Sequence, residues 1–378
     1  MLLNFIILFC YLSSSTNPNY FQYLNDSTKN SIQTIQLSFV GDIMCHSPQF
    51  EFARIGKNSF DFKPAFREIK KFLSKSDFTF GNLETVILGG NEKLSGYPLF
   101  NSPPELLDAV KDAGIDFLFT SNNHCNDKGI RGIENTINHI RERGIGQHGT
   151  FLSKSNRDSS LIISINEFNI GILSYTYGLN GNYLPKEKIY MASLIDTNQV
   201  KFDIDKFSQH KLDCILIYYH FGNEYSRKPS NYQKELVKKT FEYGADIIIA
   251  SHPHVIQPFE YFIKDKGKMD KGFVAYSLGN FISNQRWRYS DSGIILDLQL
   301  TKSTLTDSVW ISKVDFTPTW VFKGKTSNGN EFIILPSDTS KLNPIPNFIQ
   351  KEDLFRLNQS FNDAHNIIKN IKATKISK

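Results

Sequence analysis

The chain is poor in cysteine. Four of its 378 residues, Cys10, Cys45, Cys125 and Cys214, are cysteines, and no two of them form a CxxC pair. That excludes a disulfide-stapled scaffold and a thiolate zinc site. It also lacks a block of one charge: 43 Lys and Arg stand against 38 Asp and Glu, a formal +5 with no basic arm. Charge spread this thinly is a poor footprint for nucleic acid, and no nucleic-acid partner is expected. A bilayer span takes about 20 apolar residues. The apolar run at 1–12 is too short for that, and it is followed by Ser13-Ser14-Ser15. It reads as an export signal or membrane-targeting segment over 1–17, which makes the protein exported or cell-envelope associated. Hydrophobic residues at 40% and aromatics at 13% suffice for a folded globular core.

After a polar linker at 18–34, apolar and amphipathic stretches alternate. Strands are expected over 35–40, 78–80, 115–120, 161–165, 170–175, 214–219, 247–250, 273–277 and 294–300. Helices are expected over 64–74, 104–113, 133–143 and 231–243, the last two stopped by Gly144 and Gly244. This alternation predicts an α/β fold in a single domain over 35–300. Residues 301–378 form an extension with strands at 309–314 and 331–335. It ends in an amphipathic helix at 352–368, with Leu354, Leu357, Phe361 and Ile368 on one face. No chemistry is legible there.

Polar residues gather where the strands end. Asp42 closes the first, Asn82 and Glu84 the second, Asn123 and His124 the third; His220, then His252 and His254, close two later ones. Sheets of this class bind ligands at the carboxyl ends of their strands. Oxygen and imidazole donors converging from several loops suit a divalent metal. A lone histidine is ordinarily a core or surface residue. Two that straddle Pro253 directly after an apolar strand point to a site, and strand alternation would direct both to one side. Asp127, three residues after His124, is placed to accept a hydrogen bond from its imidazole, which fixes the tautomer and suits His124 to general-acid work. Asn82, Glu224, Tyr225, Asn280 and Gln285, from the same strand-end loops, are the candidate substrate-binding residues. Cys45 and Cys125 follow Asp42 and His124 closely. They are expected on loops at the rim, where a pairing between them is conceivable in an exported protein.

Several blocks now stand in order. They are Gly41-Asp42-Ile43-Met44, Asn82-Leu83-Glu84, Asn122-Asn123-His124 with Asp127, His220-Phe221-Gly222-Asn223-Glu224-Tyr225, His252-Pro253-His254 and Tyr276-Ser277-Leu278-Gly279-Asn280-Phe281. Together, over residues 35–300, they resemble the bacterial CapA capsule-biosynthesis family, also described as poly-gamma-glutamate synthesis accessory proteins. The resemblance implies a calcineurin-like metallophosphoesterase fold, a sandwich of two mixed β-sheets flanked by helices. It implies two divalent metals, of the Mn, Zn or Fe kind. Asp42 and His254 would serve one, Asn123, His220 and His252 the other, with Glu84 bridging and His124 as general acid. Met44 stands where the superfamily usually has a histidine, with His46 two residues on as a substitute. The function implied is that of an exported accessory protein for making or exporting an anionic surface polymer, acting with a membrane-bound synthesis complex. The alternatives are a phosphoesterase for a small phosphoester and a non-catalytic polymer-binding protein.

Overall fold

The computed structural model describes residues 31–369 and 371–375; the expected export segment at 1–17 lies outside them. No helix among the described residues is long and apolar enough to cross a membrane.

The chain lays down four parallel neighbours first: β1 (Ile32–Ile43), β2 (Phe78–Leu83), β3 (Phe117–Phe119) and β4 (Gly146–His148). It then builds a second sheet from β5 (Leu161–Ile165), β6 (Phe168–Thr176), β7 (Cys214–His220), β8 (Ile247–Ser251), β9 (Phe259–Ile263) and β10 (Lys271–Ala275). It returns to the first with β11 (Asn280–Ile282), β12 (Ser292–Ser303), β13 (Val309–Thr326) and β14 (Gly329–Pro336). Finally β15 (Lys372–Lys375) joins the second. The first sheet reads β14-β13-β12-β1-β2-β3-β4, with β11 paired to β1; the second reads β15-β9-β10-β8-β7-β6-β5. Each mixes parallel and antiparallel pairs. The segment after residue 300 thus continues both sheets.

The principal helices are α1 (Ser47–Phe52), α2 (Glu105–Asp112), α3 (Gly129–Glu142), α4 (Thr197–Lys206), α5 (Asn231–Tyr243) and α6 (Lys351–Ile368). Between the sheets, Leu37, Phe39, Phe80 and Phe119 pack with Ile170, Leu216, Tyr218 and Ile249. The stacked rings of Phe119 and Tyr218, 4.4 Å apart, join the two layers. On the outer face of the first sheet, Ile43, Leu118 and Ile295 pack with Leu106 and Val110 of α2 and Ile140 of α3. On the outer face of the second, Ile217, Tyr219 and Ile248 pack with Ile204 of α4 and Leu236 and Phe241 of α5. The central parallel strands are therefore apolar on both faces, which is why β7 and β8 read as unbroken apolar runs. The architecture is the expected sandwich of two mixed sheets between helical layers.

One expected helix is different. Residues 64–74 form two short turns of helix, Lys63–Phe66 and Lys70–Leu73. Phe66 packs against Phe281 and Arg67 reaches Glu331 on β14 at 2.8 Å. These tertiary anchors override a weak local preference for one continuous helix.

Candidate metal centre

The parallel strands of both sheets deliver their last residues to one place. The pairing of β1 with β2 shifts register between Phe39 and Asp42, and its pairing with β11 shifts just after Asp42. Irregularities of this kind re-aim a side chain at the end of a strand. Gly41 permits the approach: a Cβ there would lie 1.9 Å from the Gly279 carbonyl oxygen. The Asp42 N–H donates to that same oxygen at 3.0 Å. His252 and His254 do not alternate along a strand, as the sequence suggested. They leave β8 in left-handed backbone, with φ of +103° and +58°. Such conformations are strained for non-glycine residues and persist where surrounding structure fixes them. The two rings end 6.0 Å apart.

Two donor groups result, and Glu84 belongs to both. Ligand atoms of Glu84, His220 and His252 lie within 4.8 Å of one another, and so do those of Asp42, Glu84 and His254. All five residues are buried. Glu84 Oε1 is 3.5 Å from His220 Nε2 and 3.8 Å from His254 Nε2. Asn123 Oδ1 adds a further oxygen, 2.8 Å from His220 Nε2. Asn82 and Asn280 are also fully buried and spend their amides on these side chains. Asn82 Nδ2 donates to Asp42 Oδ1 at 2.8 Å and to Glu84 Oε2 at 3.3 Å. Asn280 Oδ1 lies 3.1 Å from His254 Nδ1.

Within this cluster Glu84 Oε1 and His252 Nδ1 are buried with no hydrogen-bond partner. Burial first, and then the charge of Asp42, push the Glu84 carboxyl well above its usual range. Burial, and then the neighbouring imidazoles, push His220 well below its usual value and His252 down to about 3. Neutral imidazoles and facing carboxylates with orphaned acceptor atoms are a donor set suited to a cation. The residues fit a divalent metal of the kind that takes nitrogen and oxygen ligands. His46 stands outside both groups. Its Nδ1 lies 3.2 Å from Gln49 Oε1, which also accepts the His46 backbone N–H at 2.8 Å. Met44 is buried beside Ser283. Cys45 and Cys125 are buried and unpaired rather than on a rim, and burial raises both thiols to about 12.

Beside the donors, His124 Nδ1 meets Asp127 Oδ2 at 2.8 Å, and that oxygen also accepts the Phe100 N–H at 2.8 Å. His124 Nε2 is left facing Asn180 Nδ2 at 3.4 Å. Glu224 and Tyr225 are exposed at the mouth, where Gln285 Nε2 reaches the Tyr225 hydroxyl at 3.4 Å. Three residues here escaped the sequence reading: Tyr177, whose ring lies 4.5 Å from that of His252, Asn180, and Trp287, 5.2 Å from Tyr225. Tyr177 and Asn180 follow β6 and flank Gly178, so the strand-end rule that found the others applied to them as well.

The family model described as "Bacterial capsule synthesis protein PGA_cap" matches residues 36–285. The chain is 29% identical over 272 residues to "Capsule biosynthesis protein CapA" of Bacillus anthracis, covering 70% of this chain and 63% of that one. It is 24% identical over 307 residues to "PGA biosynthesis protein CapA" of Bacillus subtilis (strain 168), covering 79% and 75%. It therefore spans less than two thirds of the length of the first relative. Similar solved structures include the calcineurin-like phosphoesterase YfkN of Bacillus subtilis, at 14% identity and a TM-score of 0.44, covering 87% of this chain and 100% of that one. A putative 5'-nucleotidase of Staphylococcus aureus, at 14% identity and 0.46, covers 87% and 58%. With the family model matching most of its length, the chain belongs to the bacterial capsule synthesis protein family.

Proposed function

We propose that the protein is an exported accessory factor for making an anionic surface polymer, of the capsule or poly-gamma-glutamate kind. In this reading its centre holds two divalent metals and hydrolyses a phosphoester bond. The observation that carries the reading is Glu84, a buried carboxylate shared by two donor groups, whose Oε1 has no hydrogen-bond partner. Asp42 and His254 would hold one metal with Glu84; His220, His252 and Asn123 would hold the other. Bound there, the metals would activate water and offset charge on a phosphoryl oxygen. The chain does the rest. Asn82 and Asn280 orient the carboxylates and His254. Asp127 holds His124 so that Nε2 faces the reaction and gives its proton to the leaving oxygen. Glu224, Tyr225 and Gln285 meet the substrate at the mouth, and a membrane-bound synthesis complex is the partner that supplies it.

The test is metal content. His252→Ala combined with His254→Ala should release the metal that the purified wild type carries, while circular dichroism stays that of the wild type. His139→Ala, on α3 and away from the centre, should keep its metal. Equal stoichiometry in all three proteins would refute the site.

A further inference from the structure

We propose that Asp363, on the C-terminal helix, is a positioning residue for the metal centre, tying down the two loops that form its mouth. One loop, 221–230, carries Glu224 and Tyr225; the other, 283–291, carries Gln285 and Trp287. Both converge on Asp363. Its carboxylate takes a two-pronged contact from Arg288, Nε to Oδ2 at 3.0 Å and Nη2 to Oδ1 at 2.8 Å. Its backbone carbonyl accepts from Arg227 Nη2 at 2.8 Å. Both guanidiniums also stack on Tyr289, at 4.1 and 4.7 Å from the ring centroid. Tyr289 itself sits at φ +77°, a conformation that needs outside support.

The contacts continue inward from the clamp to the centre. Gln285 Nε2 reaches the Tyr225 hydroxyl, and Asn280 Nδ2 donates to Gln285 Oε1 at 3.0 Å. Asn280 in turn faces His254 Nδ1. The anchor is firm, because α6 buries Leu357, Ala364 and Ile368, and its Ser360 hydroxyl donates to the Thr319 carbonyl at 3.2 Å. Release of Arg288 would loosen the 283–291 loop, leaving it tied by Asn284 to Lys323, by Arg286 to the Val321 carbonyl and by Asp291 to Trp320. Gln285 would then hold Asn280 less firmly, and the alignment of His254 and Tyr225 would relax. The C-terminal segment, silent in the sequence, thereby becomes part of the frame of the site.

The inference rests on the metal-site reading above, and its test separates the two. Full-length wild type, Asp363→Asn, Arg288→Gln and the double variant are titrated with Mn²⁺ and assayed on p-nitrophenyl phosphate. Arg288 is half exposed, so each change should weaken Mn²⁺ binding and raise KM by roughly two- to fivefold. kcat should stay within about twofold. The double variant should be no worse than either single one, because the two side chains act as a unit, and Asp363→Glu should restore much of the loss. Unchanged Mn²⁺ affinity and KM in Asp363→Asn would overturn the proposal. So would additive losses that track a falling melting temperature, since that is the mark of a merely structural contact. A wild type that binds no Mn²⁺ defeats the metal-site reading instead. The clamp is then read by trypsin: faster cleavage after Arg288 in Asp363→Asn supports it, and unchanged cleavage there sinks it.

Discussion

Glu84 is a carboxylate whose surroundings suit a metal and disfavour the metal-free fold. Burial and the facing Asp42 raise its pKa, and Oε1 has no donor. Removing a buried, uncompensated charge at constant shape commonly stabilises a protein. Glu84→Gln should therefore lose metal yet resist urea better than wild type when both are in EDTA, by about 1–2 kcal/mol. A less stable Glu84→Gln under those conditions would contradict this account of the site. The donor residues were legible because each sits where an apolar run stops, and the structure brings Asp42, Glu84, His220, His252 and His254 together. What could not be read was which amides would be spent on them. Asn82 and Asn280 look like any strand-end asparagines until their hydrogen bonds are seen. His46 and Met44 show the opposite limit. Spacing offered His46 as a substitute ligand, but the turn into α1 commits its Nδ1 to Gln49.

At the scale of elements, legibility follows local signals. α5 is bounded by a capping box between Ser230 and Gln233 and by Gly244 at φ +119°, so both ends are written in the sequence. β4 carries no such pattern. Gly146-Gln147-His148 is a strand because β3 offers an open edge and the Asp116 carbonyl receives the Gly146 N–H at 2.8 Å. β11 is likewise three residues long and exists through its pairing with the end of β1. That pairing yields a sharp expectation. Gly41→Ala would drive a methyl into the Gly279 carbonyl and force β1 and β11 apart. It should cost about 1–3 kcal/mol. It should also abolish metal binding, since Asp42 and Asn280 ride on those two strands. Gly178→Ala is the control, because a Cβ there meets nothing within 4 Å. Melting curves and metal analysis of the two variants decide it: a Gly41→Ala protein with wild-type metal content and stability would mean the strands can separate freely.

The sandwich as a whole buries ionisable rings, and one that has no carboxylate in direct contact fixes part of how the molecule responds to acid. His148 illustrates it away from the metal centre. It ends β4, with Nδ1 3.2 Å from the Ser174 hydroxyl and its ring edge-on to Phe151. Burial first, then the charge of Arg157, lower its pKa from 6.5 to about 3; Lys206 adds to this and Asp203 opposes it. Asp203 gives little relief, because its carboxylate is already held by Arg157 at 2.7 Å and Lys206 at 2.9 Å. As pH falls below 6.5 the unfolded chain takes up a proton at His148, while the folded chain refuses it until about 3. The unfolded state then binds more protons, so stability falls with pH across that window. At pH 5 the contribution of this ring alone is a loss of about 2 kcal/mol. His148→Gln keeps a side-chain amide within reach of Ser174 and removes the titration. Urea unfolding in EDTA at pH 7.5 and pH 5 should therefore show the wild type losing about 2 kcal/mol more than His148→Gln. EDTA is needed in both, because bound metal adds its own pH-dependent stabilisation through the other histidines. If the two proteins lose equal stability between those pH values, the buried ring takes up its proton at little cost and the argument fails.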